Sequence, residues 1–129
     1  MDTRELLNKA KETMNNAYAP YSHFKVGAAI LTEEGLVYTG CNVENASYGA
    51  TICAERTAAV KAVSEGYIKF SKIAIVSSEG TYTYPCGVCR QFLSEFMTKD
   101  SLIIVEDEKE GIKEIPFKEL LPLSFSLNV

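Results

Sequence analysis

The stretch Val26-Gly27-Ala28-Ala29-Ile30-Leu31-Thr32-Glu33-Glu34-Gly35-Leu36-Val37-Tyr38-Thr39-Gly40-Cys41-Asn42 decides the fold. Two apolar, β-prone runs, Val26 to Thr32 and Leu36 to Asn42, flank Glu33-Glu34-Gly35, a short turn whose glycine supplies positive φ. They predict an antiparallel hairpin. Upstream, Leu6, Leu7, Ala10, Met14 and Ala17 recur at helical spacing behind Asp2 and Glu5, which form a capping box, so a first helix is expected to end before Pro20. Downstream, Asn45 to Thr51 is an aperiodic loop. It leads into a helix over Cys53 to Glu65, with Val60 and Val63 on the Arg56 side and Gly66 as its stop.

Beyond it, Lys72 to Ser78 reads as a buried strand and Glu79 to Tyr84 as a loop. Cys86 to Thr98 reads as a helix with Cys89, Phe92, Leu93, Phe96 and Met97 on one face. Leu102 to Glu106 and Ile112 to Pro116 are two further strands around a charged turn, and Phe117 to Leu121 is a short helix stopped by Pro122. The order predicts an α/β fold, a three-layer αβα sandwich in which a mixed five-stranded sheet is covered by helices on both faces. With 129 residues, 47% of them hydrophobic and 23% charged, the chain suits one domain spanning residues 1–129.

The formal charge of -4, with Lys and Arg scattered among acids, offers no basic stripe to neutralise a phosphate backbone, so no nucleic-acid partner is expected. The first residues are charged, and the longest apolar run, Val26 to Leu31, is far shorter than the roughly 20 residues that span a bilayer, so no membrane partner is expected either. Cytoplasmic localisation follows as an expectation. In that compartment the four cysteines read as thiols or metal ligands rather than as a disulfide framework. His23 is the single histidine, which leaves sulfur and carboxylate to carry any transition-metal site and favours zinc.

Cys53-Ala54-Glu55-Arg56 and Pro85-Cys86-Gly87-Val88-Cys89-Arg90 supply those ligands. Cys53 and Cys86 are placed at the starts of two helices, where unpaired N–H groups and the helix dipole favour thiolate, and Cys89 lies one turn beyond Cys86. Three thiolates on one zinc ion leave the fourth position to water, and Glu55, in the first helical turn beside Cys53, serves as acid and base. Three thiolates also leave the site with a net negative charge that blunts the acidity of the bound water. Arg56 and Arg90, each close behind a ligand, offset it if their guanidinium groups hydrogen-bond to sulfur.

With these motifs in view, the chain resembles the small homotetrameric, zinc-dependent cytidine deaminases along nearly its whole length. A ligand-x-Glu followed by Pro-Cys-x-x-Cys is the signature of zinc deaminases in its three-cysteine form. The match extends through Tyr18-Ala19-Pro20-Tyr21-Ser22-His23-Phe24-Lys25-Val26-Gly27-Ala28-Ala29 and Gly40-Cys41-Asn42-Val43-Glu44-Asn45-Ala46-Ser47-Tyr48. The resemblance implies one Zn²⁺ per subunit and a nucleoside substrate, with conversion of cytidine and 2′-deoxycytidine to uridine and 2′-deoxyuridine in pyrimidine salvage. Zinc-activated water would attack C4 of cytosine while Glu55 carries protons to N3 and to the departing ammonia. It further implies that Asn42 and Glu44 bind the ribose 3′-hydroxyl, that backbone near Ala54 reads the pyrimidine edge, and that Phe24 stacks near the base. Tyr48 and Phe125 would complete a neighbouring subunit's pocket, giving a homotetramer with shared active sites. The sequence departs from the family at Tyr84, where Ser commonly precedes Pro-Cys.

Other readings of the same residues remain open at this level. Cys41 as a fourth ligand would close the metal site, making it structural and the protein a zinc-stabilised binding module. A deaminase of another aminopyrimidine, such as blasticidin S, would share the zinc motifs.

Overall fold

A computed structural model describes residues 1–127. The elements follow in the order α1 (Thr3–Met14), β1 (Val26–Thr32), β2 (Val37–Cys41), a 3-10 turn (Tyr48–Ala50), α2 (Ala54–Ser64), β3 (Phe70–Ser77), α3 (Gly87–Leu93), β4 (Met97–Asp107), β5 (Gly111–Pro116) and α4 (Phe117–Leu120). The sheet is five-stranded in the order β2-β1-β3-β4-β5. It is mixed: β1 runs antiparallel to both β2 and β3, β3 and β4 are parallel, and β5 returns antiparallel. The αβα sandwich expected from the order of elements is the one formed.

Helix α1 covers one face. Its N-cap is Asp2, whose carboxylate accepts the Glu5 N–H at 2.8 Å, and Leu6, Leu7 and Ala10 pack on Ala29, Ala74, Val76 and Ile104 of the sheet. Each fully buried Leu here contributes about 2–3 kcal/mol by leaving water. The other face carries the larger core, where Ala28, Ile30, Ile73, Ile75, Ile103 and Val105 meet α2, α3 and α4. The N-terminus is tied to the far side of the sheet by a bidentate pair between Arg4 and Glu106, which Lys11 joins at 2.8 Å.

Two glycines let helix and strand backbones touch. A Cβ on Gly27 would lie 2.1 Å from the Ala10 carbonyl oxygen, and one on Gly40 would lie 2.4 Å from the Ala58 amide nitrogen. This contact explains why α2 buries a row of small residues, Ala54, Ala58, Ala59 and Ala62; Val63 packs at the edge of the core and Val60 faces solvent. From the same helix Lys61 donates to the Thr39 carbonyl of the edge strand β2.

The helix expected over Cys86 to Thr98 is shorter. It ends at Leu93, where the Ser94 hydroxyl bonds back to the Gln91 carbonyl at 2.6 Å and competes with helix continuation. The Phe96 carbonyl then accepts the Phe70 N–H, which draws the chain onto β3 and makes Met97 a strand residue paired with Phe70. Thr98 to Ser101 lie opposite Ser71 alone, an irregularity held by Ser101, whose hydroxyl donates to the Phe70 carbonyl at 2.7 Å. Phe92 and Phe96 still pack on the core, one from the helix and one from the turn after it.

The register brings several chain ends to one end of the sheet. Val26 opposes Ser77 and Gly27 opposes Cys41, so the start of β1, the end of β2 and the end of β3 lie together. Segments leaving those points carry Phe24, Asn42, Cys53 and Cys86. Because the placement of α2 depends on the bare backbone at Gly40, Gly40→Ala is expected to lower unfolding free energy by about 2–3 kcal/mol in urea titrations, whereas Gly49→Ala, whose added Cβ meets nothing within 4 Å, stays near zero.

Candidate active site

Cys53 and Cys86 are the N-cap residues of α2 and α3, one residue before the helices proper, and Cys89 sits in the first turn of α3. The extended backbone at each cap turns the side chain across the helix end, where the first N–H groups have no intrahelical partner. The Cys86 sulfur accepts the Cys89 N–H at 3.5 Å in this way. The three sulfurs lie within 4.8 Å of one another, and Cys53 Sγ is 3.7 Å from Cys86 Sγ. Two sulfurs each about 2.3 Å from a tetrahedral zinc ion stand about 3.8 Å apart, so the cluster already has the span a shared ion needs. Cys41, paired with Gly27 on β2, is not part of the cluster, and among the described residues no fourth His, Cys, Asp or Glu joins it. The set fits zinc with one position left open.

The sulfurs are electrostatically unequal. A hydrogen bond from Cys89 and the Arg56 guanidinium beside it hold the Cys53 thiol down to about 5, toward thiolate. The same hydrogen bond, with burial, pushes the Cys89 thiol up. Arg56 Nη2 is 3.6 Å from Cys53 Sγ and also donates to the Thr51 carbonyl at 3.3 Å, so the cation is fixed against the ligand that most needs it. Arg90 is placed otherwise. Its Nε donates to the Pro85 carbonyl at 2.7 Å and its Nη1 to the Leu120 carbonyl at 3.0 Å, which pins the loop before Cys86 to α4 and leaves no hydrogen bond to sulfur.

Glu55 is 4% exposed, in the first turn of α2. Burial, with the negative charge of Cys53, pushes its carboxyl up to about 7. It shares a cleft of about 210 Å³ with Cys53, Cys86, Ala54, Phe24, Val26, Asn42, Thr51, Thr83 and Tyr84. A second recess of about 350 Å³, lined by Tyr21, Ser22, Glu44, Asn45 and Tyr48, adjoins it, the two meeting at Thr51.

Asn42 and Glu44 both grip the segment that carries Phe24. The Asn42 amide accepts the Val26 N–H and donates to the Phe24 carbonyl, each at 2.8 Å. Glu44 accepts from the Tyr21 and Ser22 N–H groups at 3.0 and 3.1 Å and from the Ser22 hydroxyl, which holds its carboxyl below the usual range. Tyr48 and Phe125 are not brought into the thiol cleft of their own chain. Tyr48 is 78% exposed with its ring edge against Tyr21, and Phe125 is 69% exposed with its carbonyl accepting from Gln91.

Thr51, Thr83 and Ser22 join the site without having been picked out by sequence. The first two stand in loops with no periodic pattern. Ser22, in the turn-prone run Pro20-Tyr21-Ser22, carries a local signal for side-chain-to-backbone bonding but none for a partner at Glu44.

A sulfur-held zinc site beside a buried carboxylate, at the end of an αβα sheet, defines a zinc-dependent hydrolytic deaminase. Residues 1–105 match the family described as the cytidine and deoxycytidylate deaminase zinc-binding region, and the chain belongs to that family. It is 44% identical over 126 residues to the cytidine deaminase of Sporosarcina psychrophila, covering 98% of this chain and 93% of that one. It is also 44% identical over 126 residues to the cytidine deaminase of Halalkalibacterium halodurans, covering 98% and 96%. The crystal structure of cytidine deaminase from Burkholderia pseudomallei superposes with a TM-score of 0.90 at 42% identity, covering 97% of this chain and 100% of that one.

Replacement of Cys53, Cys86 or Cys89 by Ser is expected to reduce zinc below stoichiometric by metal analysis of purified protein. Cys41→Ser is expected to retain one zinc per chain.

Proposed function

We propose that the chain catalyses the hydrolytic deamination of cytidine and 2′-deoxycytidine to uridine and 2′-deoxyuridine with release of ammonia, in pyrimidine salvage. The observation that carries the reading is the buried Glu55 carboxyl in the same cleft as the cysteine cluster, since hydrolysis of an aminopyrimidine needs one group to move protons beside the attacking water. Zinc, when bound by Cys53, Cys86 and Cys89, supplies a water acidic enough to attack C4 near neutral pH.

The chain's own groups do the rest. Glu55 takes one proton from the water and delivers it to N3, which draws electrons from C4; it then moves the second proton, from the oxygen now on C4, to the exocyclic nitrogen, and the C4–N bond breaks to release ammonia while C4 keeps the oxygen as a carbonyl. The Ala54 backbone at the head of α2 reads the pyrimidine edge, Phe24 packs near the base, and Asn42 and Glu44 take the sugar hydroxyl. Arg56 neutralises part of the thiolate charge from its place on Cys53. Arg90 acts on this centre through the Pro85 carbonyl, by holding the loop that delivers Cys86.

The working unit is a homotetramer of single-domain subunits in which Tyr48 and Phe125 complete neighbouring pockets. Its support is the exposure of both rings, together with Leu123 and Leu127 near the chain end, as apolar surface a lone chain has no use for. A cytoplasmic setting suits a site built from reduced thiols. No helix among the described residues is long and apolar enough to cross a membrane. A formal charge of -4 favours a free nucleoside over a polynucleotide.

Glu55→Gln, which keeps size and hydrogen bonding but cannot carry the proton, is expected to lower kcat for uridine formation by about 10²–10⁴-fold while zinc content and thermal midpoint hold. Ammonia release from blasticidin S but not from cytidine by the unaltered protein would assign the site to the other substrate.

A further inference from the structure

We propose that Ser22 is a positioning residue for the sugar of the substrate, its hydroxyl coupling the Glu44 carboxylate to the backbone that carries Phe24. The inference rests on the deaminase reading above. From Tyr21 to Val26 every backbone N–H is held: Tyr21 and Ser22 by Glu44, His23 by the Ala19 carbonyl, Phe24 by Ser22 Oγ at 3.0 Å, Lys25 by Ser78 Oγ and Val26 by Asn42. Glu44 and Asn42 hold three of these directly, and Ser22, itself bonded to Glu44, holds a fourth. The turn they enforce is strained, with His23 at φ 60° in the left-handed region that non-glycine residues rarely enter. Such a backbone persists where its surroundings over-determine it, and these bonds do so.

The lone-pair count shows what Ser22 does for binding. Glu44 Oε1 already accepts two N–H groups, whereas Oε2 accepts the Ser22 hydroxyl alone. An ionised carboxylate can only accept, so an incoming sugar hydroxyl must donate to it, and Oε2 is the oxygen with capacity to spare. The Ser22 proton fixes the direction in which that oxygen presents its remaining lone pair. The Ser22 oxygen meanwhile accepts from Phe24 N–H, so the contact for the sugar and the loop bearing the ring expected near the base are set by one hydroxyl. Ser22 is exposed at the lip of the recess that Glu44 lines, which leaves room for the sugar to reach the shared oxygen.

The test compares wild type, Ser22→Ala and Ser22→Thr in zinc-loaded protein, measuring kcat and KM for cytidine and the inhibition constants of uridine and 3′-deoxyuridine. Ser22→Ala is expected to raise KM and the uridine constant about tenfold, the scale of a hydrogen bond to a charged group, with kcat within about twofold. The penalty is expected to shrink to about threefold or less for 3′-deoxyuridine, which has no hydroxyl for Glu44 to accept, because the two deletions remove the same interaction. Ser22→Thr, which keeps the hydroxyl, restores the wild-type constants. Equal penalties on uridine and 3′-deoxyuridine, or a kcat that falls together with the thermal midpoint, would mean that Ser22 only supports the fold and would overturn the inference. A wild type that turns over cytidine with an indifferent Ser22→Ala removes this inference alone, and a wild type inert on cytidine removes the deaminase reading and this inference with it.

Discussion

The site depends on a contact between two backbones. At Gly40 the edge strand β2 presses against the first turns of α2 so closely that no side chain fits between them, and the helix answers with alanines. That contact fixes where α2 begins. Its first residues are the ligand Cys53 as cap, Ala54 against the cleft and Glu55 turned inward. A helix packed through larger side chains would stand farther from the sheet, and its N-terminus would no longer meet that of α3. Metal chemistry is thus tied to a steric constraint on the first turn of α2, directly behind the ligand Cys53.

A second constraint is polar. The loop before β1 is anchored by Phe24 against the core and by hydrogen bonds to its backbone from Asn42, Glu44, Ser22 and Ser78. Both acids of interest, Glu44 and Glu55, are shaped by their neighbours in opposite senses. Glu44 is held ionised by hydroxyl and N–H donors, while Glu55 is pushed toward its neutral form by burial. In the proposed reaction, a group that accepts a hydrogen bond from the sugar and a group that exchanges a proton need these different settings.

Much of this was legible in sequence where the signal was local. The Asp2 cap, the hairpin around Gly35 and the pairing of Cys53 with Glu55 and of Cys86 with Cys89 all rest on spacings of a few residues. Periodicity misled where two elements shared an apolar run. Phe92, Phe96 and Met97 keep helical spacing, yet the run is divided between α3, a turn and β4, because Ser94 breaks the helix and β3 captures the chain at Phe96. The buried face of α2 carries little signal in sequence because alanine is weakly hydrophobic, and its burial here comes from the shape of the opposing strand. Arg90 follows a ligand as Arg56 does, but it lies beyond the cap and is claimed by carbonyls of the preceding loop and of α4. The link from Ser22 to Glu44 spans 22 residues and joins two loops, so no window of sequence contains it.

The lysine that α2 lends to the outer strand has a consequence for how copies of this chain can gather. By occupying the Thr39 carbonyl, Lys61 blunts the exposed margin of β2 with a charged cap. Continuous β-ribbons built from strand to strand are thereby disfavoured on that flank, because a second chain's strand would have to displace an ammonium group before it could pair there.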